Sequence, residues 1–314
     1  MARQTAEKHK ASKKLNSVIL FARDAGIALA VVAAVLIGMF AYTGLWPPLV
    51  VVESNSMMHG SDNLSHIGAI DTGDLVLVKK IGVASDVETY MDGYSNGYRT
   101  YGDFGDVIVY RKAGSETSTP IIHRALIFLQ ANADGRSYSA PSLENIPRGK
   151  WTTVDRTNTW DNITSSLTIF GVGYMSLAVS IDITDLLQGG RAESGFITKG
   201  DHNLQVDLPY WGPSIGYRPI DVNWVVGKAR GEIPWFGLLK LWSTGTINSP
   251  SPPNSVRDLW VSLFIIVLSP ILVDISVSLM ERRKIRERKK SASNTDEKAE
   301  AEDASGRTIE PPHI

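Results

Sequence analysis

Two long apolar runs constrain this chain more than any other feature, because each must be covered either by protein or by lipid. Ala25 to Trp46 (AGIALAVVAAVLIGMFAYTGLW) holds 22 residues without a charge, against the roughly 20 that cross a hydrocarbon core. Pro47 and Pro48 follow it and break a helix. Leu259 to Met280 (LWVSLFIIVLSPILVDISVSLM) has the same length and carries Pro270 and Asp274, both tolerable in a span. Residues 25–46 and 259–280 are therefore predicted to be transmembrane helices.

The flanks orient them, since Lys and Arg are retained on the cytoplasmic side. Arg3, Lys8, Lys10, Lys13, Lys14 and Arg23 precede the first run, and Arg282, Arg283, Lys284, Arg286, Arg288, Lys289 and Lys290 follow the second. Residues 1–24 and 281–314 are thus expected to be cytoplasmic and residues 47–258 extracytoplasmic, in a multi-pass protein of the cell membrane. The first run is long and lacks a small-x-small site before its prolines, so it reads as an uncleaved anchor. The tail after Ser291 is polar and charge-rich, and is expected to be disordered.

Composition excludes several functions. The 314 residues carry a net charge of −1, and the outer segment has 22 Asp and Glu against 17 Lys and Arg, so no nucleic-acid partner is implied. There are no cysteines, which rules out disulfide scaffolds and thiolate zinc sites. Asn63 (NLS) and Asn162 (NIT) fit the glycosylation pattern.

The outer segment is expected to be mainly β. GDLVLVKKIGV (73–83), GDVIVYRKA (105–113), IIHRALIFL (121–129), LTIFGVGYMSLAV (167–179) and VNWVVGKARGEI (222–233) are β-branched and aromatic runs bounded by turn residues. Twice a Gly-Asp pair opens a strand, which suits a turn with Gly at positive φ and Asp bonding back to the backbone. Residues 131–193 are less regular and read as an insertion or small subdomain. IPWFGLLKLW (233–242) gathers tryptophans that suit either a headgroup zone or a core edge.

A serine needs a nearby base to act as a nucleophile. Ser56 lies in VVESNSMMHG, just past the first run, and the outer segment offers His59, His66, His123 and His202. Strand alternation puts Ile121, His123, Ala125 and Ile127 on one face and Ile122, Arg124, Leu126 and Phe128 on the other. His123 is then an imidazole in an apolar row, costly to bury unless something bonds it. A lone strand histidine is also a common satisfied core residue. In GFITKGDHNLQVD (195–207), Asp201 and Asp207 could each orient a histidine, and the same residues make a good turn. Lys79 and Lys80 are the lysines weighed as alternative bases; being adjacent in a strand, only one of them can point inward.

SNSMMHG, GDLVLV, GDVIVY, IIHRAL and TKGDHNLQVD, in this order between two anchors, resemble type I signal peptidases of the archaeal and endoplasmic-reticulum branch. The resemblance covers the outer segment apart from 131–193. It implies a signal-peptidase-like β catalytic domain and a serine endopeptidase that removes signal peptides after small residues. It also implies Ser56 as nucleophile, His123 as base, and Asp201 or Asp207 as the third member. The Ser56 backbone N–H and the Ser54 hydroxyl would form the oxyanion hole. Preprotein signal peptides, the lipid bilayer and the secretion translocon are the implied partners, with no cofactor and no metal. Two departures stand out: His59 occupies the position where the family carries proline, and 78 positions separate His123 from Asp201. His59 reads as a turn substituent. The alternative from a different class is a noncatalytic, membrane-anchored β-domain acting in an accessory or adhesion role.

Overall fold

The computed structural model describes residues 2–61, 63–154, 159–207, 210–213, 215–246 and 250–305, with side chains described from 18 to 287 within these ranges. Met1–Val256 form one compact unit and Arg257–Ile314 a second.

In the first unit, α1 (Ala2–Thr43) leads into β1 (Leu49–Val51), β2 (Leu75–Lys79), α2 (Tyr90–Asn96), β3 (Arg99–Thr100), β4 (Asp103–Phe104), β5 (Val107–Tyr110) and β6 (Ile121–Ala131). Then come β7 (Tyr138–Ser139), β8 (Trp151–Thr153), β9 (Leu167–Val172), β10 (Leu177–Ile181), α3 (Ile183–Leu187), β11 (Gly195–Lys199), β12 (Val225–Ile233) and α4 (Leu238–Thr244). The last helix, α5 (Pro253–Ser305), makes up the described part of the second unit. Among the described residues, two helical stretches are long and apolar enough to cross a membrane, Val18–Thr43 and Pro253–Glu287. α1 ends at Thr43, so Gly44 to Trp46 are not helical, and α5 continues through Pro270. α5 also runs on to Ser305 through the segment expected to be disordered; that stretch carries four Ala and three Glu, both strong helix formers. Residues 306–314 of the same tail lie outside the described residues.

The principal sheet is antiparallel, in the order β1-β2-β12-β5-β6-β11, with β7 paired to β6. β5 is buried on both faces: Val107 and Val109 join one apolar cluster with Val76, Val78 and Ile122, while Ile108 and Tyr110 join another with Ala125 and Phe196. This is why VIVY is continuously apolar rather than alternating. Both Gly-Asp turns form, with Gly73 at φ 100° and Gly105 at φ 75°. Asp74 accepts hydrogen bonds from the Asp71 and Trp235 backbones at 2.8 and 2.9 Å. Asp106, fully buried, takes Glu88 N–H as well as the side chains of Lys228 and Arg230.

Strand alternation in β6 holds only as far as Ala125. Thr198 pairs Ala125 and Ile197 pairs Ile127, so Leu126 is an extra residue in the ladder. A bulge reverses the faces beyond it, and Ile127 and Leu129 turn into a third cluster with Ile197. That cluster is the core of the 131–193 region. Its antiparallel sheet β10-β9-β8, together with α3, buries Trp151, Leu167, Ile169, Val179 and Ile183 against β6 and α2. The single strand expected over 167–179 is a hairpin, because Gly171, Gly173 and Ser176 adopt positive φ and reverse the chain.

Candidate active site

Ser56 stands on the loop that leaves β1, between buried anchors. Val52 donates to Asp74 O at 2.9 Å, Met57 and Met58 are buried, and Met58 N–H closes a turn on Asn55 O at 3.0 Å. The two methionines therefore fix the loop, and Ser56 remains partly exposed at its crest. Behind it, His202 N–H donates to Ser56 O at 2.9 Å. Gly200 lies so close that a Cβ there would sit 2.6 Å from Ser56 O, so only glycine fits.

β6 brings His123 to this serine. His123 Nε2 lies 3.0 Å from Ser56 Oγ, and His123 Nδ1 lies 2.6 Å from Asp207 Oδ2. Asp207 is held by its own N–H on Thr198 O at 2.9 Å. Its Oδ2 also accepts from Tyr110 Oη at 3.0 Å and from the Thr198 hydroxyl. With a carboxylate at Nδ1, the neutral imidazole carries its proton there and presents the Nε2 lone pair to the serine hydroxyl. An imidazole in an apolar row is thus bonded at both nitrogens. Ser54 Oγ lies 3.2 Å from Ser56 Oγ.

Asp201 does not reach this histidine. Its two oxygens take Arg124 Nε at 2.8 Å and Arg124 Nη2 at 2.6 Å, and Oδ2 also bonds His59 Nε2 at 2.8 Å. Burial alone would raise the Asp201 carboxyl, but the Arg124 charge and hydrogen bonds, with His59, hold it well below the usual carboxylate range. The reason lies in the register: Arg124 pairs Lys199 across β6 and β11, on the face opposite His123, so the acid after Lys199 meets the arginine. His59 is accordingly more than a turn substituent, being tied to a buried ion pair.

Neither Lys79 nor Lys80 is buried, and Lys79 Nζ rests over the Tyr42 ring at 5.3 Å. The buried lysine is Lys199, whose Nζ donates to Gly200 O at 2.9 Å and Asp201 O at 3.2 Å, and whose pKa burial lowers. Sequence reasoning missed Tyr110, Thr198 and Arg124 as parts of the site. Only Arg124 left a signal, a charge inside an apolar strand that demands an acid partner. His66 bonds through its backbone to Asp71 at 2.6 Å, away from the serine. Among the described residues no group of three or more His, Asp or Glu is arranged to hold a metal ion.

A groove of about 390 Å³ opens beside Ser56 and His123, walled by Val50 and Val51 of β1 and by Thr119 to Ile122. Among the described residues, β1 pairs only with β2, and Ile121 to His123 pair only with β5. Each wall therefore offers a strand edge to an extended chain. In comparisons with known proteins, no family model matches the chain and no curated protein matches it.

Proposed function

We propose that this chain is a membrane-anchored serine endopeptidase of signal-peptidase-like fold, acting on exported preproteins at the outer membrane surface. The observation that carries the reading is the relay Ser56 Oγ, His123 Nε2, His123 Nδ1, Asp207 Oδ2, with contacts of 3.0 and 2.6 Å. Ser56 Oγ attacks the scissile carbonyl carbon while His123 Nε2 takes its proton. Asp207 stabilises the imidazolium so formed. The amide C–N bond then breaks as His123 returns that proton to the leaving amine, and a water molecule repeats the cycle to free Ser56. In this reading the Ser56 backbone N–H and the Ser54 hydroxyl, whose Oγ is 3.2 Å from Ser56 Oγ, supply the oxyanion hole.

The groove supports a peptide substrate bound as an added strand. Its place just after an apolar helix suits a bond that emerges at the membrane surface, and tethering raises its effective concentration there. The sequence resemblance supplies the signal-peptide class and the preference for small residues before the cut. The test is preprotein cleavage in detergent by the full chain and by Ser56→Ala. Cleavage by the wild type and none by the variant is expected; equal rates would sink the proposal.

A further inference from the structure

The 131–193 region sends one residue back to the serine loop. Tyr174 forms the tip of the β9–β10 hairpin, between Gly173 at φ 73° and Ser176 at φ 53°. Its ring stacks on His59, with centroids 4.9 Å apart and planes 29° from parallel. Its hydroxyl shares a hydrogen bond of 2.9 Å with His202 Nδ1. Gly102 also lies against His59, since a Cβ there would be 3.0 Å from the imidazole. His59 is thus held by the Tyr174 ring and close to Gly102, with its Nε2 on Asp201.

Both histidines bear directly on Ser56. His59 follows it by three residues, directly after the Asn55–Met58 turn, and His202 N–H donates to the Ser56 carbonyl. Tyr174 does not line the groove and bonds neither Ser56 nor His123. We infer that Tyr174 is a positioning residue, by which the hairpin of the inserted subdomain clamps the Ser56 turn from both sides through His59 and His202. The turn lacks the rigidity a proline after the methionines would supply, and the clamp replaces it from outside the loop. Ser56 must hold its attack geometry closely, since small displacements of a nucleophile lower rates by one to two orders of magnitude.

This inference deepens the peptidase reading and rests on it for its effect on catalysis; the clamp itself is measurable without turnover. The experiment uses the full chain in detergent, with Tyr174→Ala, Tyr174→Phe and, as a control on the same subdomain, Val154→Ser. Backbone hydrogen exchange over residues 53–60 and 200–203 reads the clamp, and preprotein kcat and KM read its consequence. Tyr174→Ala is expected to speed exchange over both segments and to lower kcat about tenfold, with KM changed less than twofold. Tyr174→Phe keeps the stack and loses the hydroxyl, so it falls between. Should Tyr174→Ala lower the unfolding midpoint, Tyr174→Phe carries the comparison alone. Exchange in the alanine variant matching wild type overturns the clamp, and faster exchange with unchanged kcat overturns the positioning role of Tyr174 in catalysis. A wild type that cleaves no preprotein defeats the peptidase reading instead, and the exchange result still decides the clamp.

Discussion

The Nδ1 atom of His123 lies 2.6 Å from a carboxylate oxygen of Asp207. Six residues earlier, Asp201 is more deeply buried, yet it spends its oxygens on Arg124 and His59. The two acids of one short loop therefore have separate work, one on the imidazole and one in a structural ion pair.

Substituting them should separate those roles. Asp207→Asn removes the charge and the tautomer control, and is expected to lower kcat by roughly 10⁴-fold with little change in unfolding midpoint. Asp201→Asn leaves Arg124 undercompensated, and is expected to cost about 3 kcal/mol of stability while the surviving folded protein keeps most of its kcat. Parallel rate and urea-unfolding measurements check this; an Asp201→Asn loss of kcat matching that of Asp207→Asn at unchanged stability would refute the division.

Arg124 is 1% exposed and also donates Nη1 to the carbonyls of Thr100, Phe104 and Gly105 at 3.0 to 3.1 Å. Lysine reproduces the charge but not the fork. Arg124→Lys is expected to destabilise the first unit, and Arg124→Met to cost about 3–5 kcal/mol by stranding Asp201. Urea midpoints measure both, and a methionine variant as stable as wild type would contradict the assigned pairing.

Ser54 sits 3.2 Å from Ser56 Oγ and outside the proton relay. Ser54→Ala is expected to reduce kcat by about 10²-fold, roughly 3 kcal/mol of barrier, without abolishing cleavage. An unchanged kcat would remove Ser54 from the oxyanion hole.

Asp74 gives a pH signature of the fold rather than of the chemistry. Burial raises its carboxyl from 3.8 to about 7, against the hydrogen bonds from the Trp235 and Asp71 backbones, and burial likewise raises Asp71 and Glu232 nearby. Below 3.8 both folded and unfolded chains hold the Asp74 proton; between 3.8 and about 7 only the folded chain does. This contribution to stability therefore falls as pH rises through that window and is constant above it. Thermal unfolding of wild type and Asp74→Asn is expected to show a shallower decline in the variant between pH 3.8 and about 7; identical slopes there would exclude Asp74 as its source.

What was legible in the sequence is what depends on near neighbours. The apolar runs at either end, the Gly-Asp turns and the buried strands 107–110 and 121–125 follow from composition, φ preference and side-chain period, all properties of a few adjacent residues. Even His123 announced itself this way, as one polar ring in an apolar row. The tertiary structure alone decided which acid serves it. The bulge at Leu126, the register that sets Arg124 beside Lys199, and the hairpin tip that returns Tyr174 to His59 arise from packing between distant segments. Asp201 and Asp207 look alike along the chain because a carboxylate takes whichever donors the fold brings to it. Their assignment was therefore a question of which face of β6 each one meets, and no local pattern encodes that.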